Sequence, residues 1–152
     1  MTAEALGGPQ TTLRYELQST PEAVRDTLIA IKSSLLNGNE TEVVGDMWEL
    51  VVAEVLNNIV EHAYSERKDG AIEVELQFAN SHMSARFVDY GDPMPDGALP
   101  ANRPADIDVP TQDLPEGGFG WHLIHTLSDS LNYERRNRQN CLFLEMTLVP
   151  GL

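Results

Sequence analysis

The chain has 152 residues, 41% hydrophobic and 22% charged, which is enough apolar material for one domain with one core and too much for a disordered chain. Its formal net charge of −14 repels phosphate backbones and anionic lipid, so DNA, RNA and membrane are poor primary partners; a basic protein surface, or an anionic ligand held with a metal ion, fits better. The single cysteine, Cys141, excludes an intramolecular disulfide, and no apolar run approaches the roughly 18–20 residues of a membrane span.

The opening MTAEALGGPQ has neither the basic nor the apolar region of a signal peptide, and residues 1–10 read as a flexible tail. Residues 12–18 (TLRYELQ) alternate, with Leu13, Tyr15 and Leu17 on one face, which predicts a strand. Thr20 before Pro21 marks a helix start, with Ser19 and Glu22 offering a rival capping box. Val24, Leu28, Ile31 and Leu35 recur at helical spacing until Asn37-Gly38-Asn39 ends the helix. A longer helix is expected over about 40–64, with Met47, Val51, Val55 and Ile59 as its apolar stripe. Residues 71–79 (AIEVELQFA) and 82–89 (HMSARFVD) alternate cleanly on either side of Asn80-Ser81, which predicts a hairpin.

Between 90 and 116 the pattern breaks: six of the nine prolines fall here. A loop of that length in a compact domain is usually a functional lid or a disordered segment. A short helix over about 118–129 then leads to strands near 131–137 and 141–148, where Leu142, Leu144, Met146 and Leu148 alternate. Paired antiparallel hairpins with intervening helices predict an α+β sandwich of two layers, with the helices on one face of the sheet.

Three patches carry polar groups that such a fold would have to explain. Glu54, Asn58 and His62 are each four residues apart, on a stripe bordering the apolar one. An amide oxygen is a hard donor suited to magnesium, and a carboxylate one turn earlier suits general-base work. Asp89 continues the inward alternation of Met83, Ala85 and Phe87, so it is a carboxylate at the buried end of a strand that needs a donor, and Gly91 leaves room beside it. Glu116-Gly117-Gly118-Phe119-Gly120 opens the last helix and would expose backbone N–H groups at its positive end. Taken singly, the first two patches are better read as a solvated helix edge and a strand-ending turn, and the third fits a hinge equally well.

Their order is more specific. AEVLNNIVEHAY resembles the N-box, VDYGDPMP the first glycine box and GGFGWHLIHTLSDSLNY the second glycine box of the GHKL-type ATPases. Within them the chain resembles, over roughly 12–149, the anti-sigma-factor serine/threonine kinases of partner-switching systems. The resemblance implies a Bergerat-type α/β sandwich with a mixed, mainly antiparallel sheet, a histidine kinase-like ATPase domain over 11–150 and a lid over about 90–117. It implies ATP and Mg as cofactors, Glu54 as general base and Asn58 as magnesium ligand. It further implies that Asp89 accepts from the adenine amine, that Gly91 gives the ring room, and that Gly117, Gly118 and Gly120 line the phosphates. His62 matches a position near the nucleotide. The implied partners are a sigma factor and a small anti-anti-sigma protein, in a cytoplasmic homodimer.

Two features depart from the pattern. The first box reads Asp-x-Gly-x-Pro where many superfamily members carry a second glycine, and the proline-rich stretch sets Asp92, Asp96, Asp106, Asp108, Asp113 and Glu116 against Arg103 alone. They motivate the competing reading of a binding module that holds partners without phosphorylating them. The ATP-binding half of a histidine kinase fits less well, since nothing before residue 12 suggests a phosphoacceptor hairpin. Arg135, Arg136 and Arg138 read as solvated hairpin residues or a partner contact, Trp121 as packing or lid contact, and the four histidines lack the spacing of a zinc site.

Overall fold

The computed structural model describes residues 10–37, 47–79, 81–100 and 118–148. Residues 1–9 of the expected tail over 1–10, residues 40–46 of the long helix expected over about 40–64, and the segment 101–117 of the expected lid, Gly117 with it, lie outside the described residues, while Gln10 opens the first strand. The elements are β1 (Gln10–Gln18), α1 (Pro21–Asn37), α2 (Met47–Asn58), a π-helical turn (Ile59–Ala63), β2 (Ala71–Ala79), β3 (His82–Asp89), α3 (Gly118–Leu127), β4 (Ser130–Arg136) and β5 (Gln139–Thr147). A 3-10 turn at Pro95–Gly97 lies in the described part of the proline-rich stretch.

The strands form one sheet in the order β1-β2-β3-β5-β4. Each neighbouring pair is antiparallel, in keeping with the mainly antiparallel sheet expected. The reason is where β5 sits. β3, α3 and β4 follow one another as a crossover unit whose two strands run the same way, but β5 inserts between them and pairs with both.

Period-two alternation sets the layers. Ile72, Val74, Leu76 and Phe78 of β2, Met83, Ala85 and Phe87 of β3, and Leu142, Leu144 and Met146 of β5 are all buried. They meet Val24, Ile31 and Leu35 of α1, the α2 residues and Ile124 of α3 in one cluster. α2 is buried over more of its circumference than a single stripe, with Trp48, Val52 and Leu56 joining Val51 and Val55. Trp48 meets Phe78 edge-on, with ring centroids 5.8 Å apart.

The two candidate caps at Ser19 and Thr20 part company. Thr20 Oγ1 accepts the Ala23 N–H at 3.0 Å, the N-cap bond. Buried Ser19 faces the loop before β2, accepting from Gly70 N–H at 3.0 Å and donating to the Arg67 carbonyl.

The expected long α-helix changes pitch at Asn58. Tyr64 N–H bonds Ile59 O, five residues back, at 3.0 Å. Ser65 and Glu66 then take left-handed backbone (φ 50° and 65°) and end the helix. The turn is held open by what its end must reach. The Tyr64 hydroxyl donates to Ala71 O at 2.6 Å and accepts from Tyr90 N–H at 2.8 Å. The Ala63 carbonyl accepts from Asp92 N–H at 2.7 Å, so it is spent on the turn after β3. Single π turns of this kind recur at functional sites.

Candidate functional site

The site begins where α2 meets α3. Gly120, in the first turn of α3, lies against α2 so closely that a Cβ there would overlap Glu54 Oε2. The same atom would lie 3.3 Å from Glu54 Cδ and 3.8 Å from Asn58 Nδ2. Only a residue without a side chain allows this approach, and it sets the Glu54 carboxylate and the Asn58 amide side by side at the start of α3. Burial, and secondly the nearby Glu61 carboxylate, push the Glu54 pKa above its ordinary value. Asn58 is 7% exposed, and its buried amide nitrogen has no hydrogen-bond partner among the described residues. An orphaned buried amide costs about 1–3 kcal/mol, so packing alone does not explain Asn58.

The second part of the site is the turn after β3. Asp89 is 4% exposed at the end of the buried face, as its alternation required. Its Oδ1 accepts two bonds, from Gly91 N–H at 2.9 Å and from Asn140 Nδ2 at 2.7 Å. Burial raises the Asp89 pKa, while the Asn140 and Gly91 donors and the Arg135 charge oppose that rise. Gly91 presses on the end of the π turn, where a Cβ would overlap the Ala63 carbonyl oxygen. Through this contact the Asp89 turn is fixed one helical turn beyond Asn58.

Asn140 was not anticipated. It lies directly opposite Asp89 in the β3–β5 register and is 4% exposed. It occupies the inward parity of Leu142, Leu144 and Met146, so the logic that singled out Asp89, a polar group at an inward strand position, would have found it too. Arg135 was expected to be a solvated hairpin residue or a partner contact; it donates instead to Gly91 O at 2.7 Å and to Asn140 Oδ1 at 3.0 Å. Its backbone neighbour explains the reach, since Arg135 pairs with Asn140 across the β4–β5 hairpin. Tyr64, also unanticipated, ties the π turn to Tyr90 between Asp89 and Gly91.

The remaining candidates stand further out. His62 lies within the π turn, which breaks the four-residue stripe, and its side chain is exposed, with Glu61 3.9 Å away. Gly118 is the first residue of α3. Trp121 packs in the core, as one of its two readings had it, and tilts against His125. Among the described residues no group of three or more His, Cys, Asp or Glu could hold a metal by itself. Glu54 and Asn58 are hard oxygen donors but too few for magnesium alone, which in such sites takes remaining ligands from phosphates and water. The residues therefore fit a cation that arrives with a nucleotide. No described helix is long and apolar enough to cross a membrane.

A carboxylate whose basicity is raised by burial, an amide unpaired among the described residues, a helix start packed beside both and a buried acceptor on the sheet could position a phosphorylated ligand carrying an amine-bearing base. Comparison with known proteins agrees. The profile of a family described as the histidine kinase-like ATPase domain matches residues 17–146. The chain is 28% identical over 138 residues to the serine/threonine-protein kinase BtrW of Bordetella bronchiseptica, covering 89% of this chain and 93% of that one. It is 27% identical over 123 residues to the serine-protein kinase RsbW of Oceanobacillus iheyensis, covering 78% and 76%. It is 34% identical over 84 residues to the RsbW of Halalkalibacterium halodurans, where it spans 55% of this chain and only about half (51%) of that relative. With a family match over most of its length and a fold to go with it, the chain belongs to the histidine kinase-like ATPase domain family.

Proposed function

We propose that this chain is an ATP-dependent protein serine/threonine kinase that acts as an anti-sigma factor and phosphorylates a small anti-anti-sigma protein. The observation that carries the proposal is the packing of Gly120 onto Glu54 and Asn58, which joins a base, an amide ligand and a helix start in one place. The names of its relatives, serine-protein kinases, support the same reaction class.

In this reading Glu54 takes the proton from the partner's serine or threonine hydroxyl. The oxygen so freed forms a bond to the γ-phosphorus, the bond from that phosphorus to the β–γ bridging oxygen breaks, and ADP leaves. The raised Glu54 pKa makes the carboxylate a stronger base than an exposed glutamate. Asn58 would hold magnesium through its amide oxygen. Magnesium supplies neutralisation of the phosphate charge when bound. Gly118 and Gly120, with Gly117, present N–H groups to the phosphates at the start of α3. Asp89 accepts a hydrogen bond from the adenine amine, Gly91 leaves space beside it, and His62 stands at the rim.

The same proposal includes a domain spanning 11–150, a sigma factor as the sequestered partner, a homodimer and a cytoplasmic location. It is tested by incubating the protein with γ-labelled ATP, magnesium and a candidate anti-anti-sigma protein. Label on a serine or threonine of that protein, lost with Glu54→Gln, is the expected result. Nucleotide binding with no label transferred to any such partner would remove the kinase and leave a binding module.

A further inference from the structure

Asn140 makes a set of hydrogen bonds that leaves its amide one orientation. Its Oδ1 accepts from the Tyr133 hydroxyl at 2.6 Å and from Arg135 at 3.0 Å. Neither the guanidinium nor a hydroxyl already committed as donor could face an N–H₂ group there, so Nδ2 must point the other way. It does: Nδ2 donates to Asp89 Oδ1 at 2.7 Å and to Asp92 O at 2.9 Å. The Tyr133 oxygen is fixed in turn by Met94 N–H, which donates to it at 3.0 Å. Gly91 N–H supplies the second donor to Asp89 Oδ1, and no described residue donates to Oδ2.

We infer that Asn140, clamped by Tyr133 and Arg135, is the positioning residue that gives the site its selectivity for a 6-aminopurine. By saturating Oδ1 of Asp89 it turns the carboxylate so that Oδ2 is the one acceptor left for a ligand. A carboxylate held this way takes a base that presents an amine and rejects one that presents a carbonyl, whose lone pairs would face those of Oδ2. Without Asn140 the carboxylate keeps one donor and can rotate, so it spreads its acceptor capacity between its own turn and water. The inference rests on the proposed role of Asp89 as the nucleobase acceptor. What it adds is that a residue on the neighbouring strand sets the direction in which Asp89 accepts.

The test compares binding of ATP with that of purine riboside triphosphate, which lacks the 6-amino group, with magnesium present. The wild-type protein should prefer ATP by tenfold or more, since a hydrogen bond to a charged group contributes about 1.5–3 kcal/mol. Asn140→Ala should weaken ATP at least fivefold, leave the amine-free nucleotide within about twofold, and so pull the ratio toward one. Tyr133→Phe, which removes one oxygen and leaves the core filled, should lower the same ratio by a smaller factor and serves if Asn140→Ala does not fold. A ratio that stays at the wild-type value in these variants, or two affinities that fall together, overturns the inference. A wild-type ratio of one would instead remove Asp89 as the nucleobase acceptor, a failure of the underlying reading that the variants would not be needed to see.

Discussion

The Glu54 carboxylate occupies the space that a side chain at position 120 would need. A Cβ on Gly120 would overlap Oε2 of Glu54, with Cδ 3.3 Å away. Two helices distant in sequence therefore meet at the one place where the chemistry is proposed, and the glycine there is a spatial requirement of the base more than of a turn.

Gly120→Ala should accordingly damage catalysis more than folding. The methyl group pushes Glu54 aside, and a base displaced by about 1 Å loses on the order of a hundredfold in rate. Steady-state phosphoryl transfer and thermal unfolding, run on the same preparation, check this. Activity should fall by at least tenfold while Tm moves by only a few degrees; an unchanged rate would show that Glu54 does not need that space.

Glu54→Gln should keep ATP and lose turnover by about 10²–10⁴-fold, the usual contribution of a positioned general base. The wild-type pH profile carries a second signature. Burial and Glu61 raise the Glu54 pKa above 4.5, so the base is protonated, and idle, until the pH exceeds that raised value. Phosphoryl transfer should gain rate through a limb lying above 4.5, and the limb should be missing from the residual activity of the glutamine variant. The same shift has a stability sign: its contribution is fully present below the unfolded-state pKa and is lost as pH rises through the folded one. Because the group is only part-buried and solvent screens it, the effect belongs in the rate profile and not in a denaturation curve.

Gly91→Ala tests the junction between the Asp89 turn and the π turn. The new Cβ meets the Ala63 carbonyl, a backbone atom that cannot swing away and that already accepts from Asp92 N–H. Overpacking of this kind costs about 1–3 kcal/mol. Urea denaturation should show a lower midpoint at unchanged slope, and ATP affinity should fall with it; equal stability would mean the turn is not held against Ala63.

Tyr64→Phe removes an oxygen that bonds Ala71 O and Tyr90 N–H together. With both partners left in a partly buried site, the expected loss is about 1–3 kcal/mol, read by the same denaturation. A variant as stable as the parent would show that the π turn is not secured by this hydroxyl.

Most of the architecture was legible because it depends on local periodicity. The alternation of Ile72, Val74, Leu76 and Phe78 and of Met83, Ala85 and Phe87 located β2, β3 and their buried face, and Thr20-Pro21 placed the start of α1. Asp89 was found because its parity put a charge on that face. What stayed hidden depends on contacts between distant segments. The π turn at Ile59–Ala63 has a helical sequence; its cause lies in Tyr90 and Asp92, some thirty residues on. The strand order, with β5 inserted between β3 and β4, is encoded by no single segment. Arg135 looks like a solvated hairpin cation until the register brings Asn140 and the Gly91 carbonyl beside it. Asn140 itself was open to the parity argument, though as an uncharged residue at the start of its strand it attracts less notice than a buried aspartate.

The central claim is that α2, the start of α3 and the end of β3 enclose one nucleotide site. Calorimetric titration of ATP, with and without magnesium, into the wild-type protein and Asp89→Ala addresses it most directly. One ATP should bind per chain, more tightly with magnesium, and Asp89→Ala should weaken it at least tenfold while remaining folded. ATP that fails to bind the wild type, or binds Asp89→Ala equally well, would contradict the account.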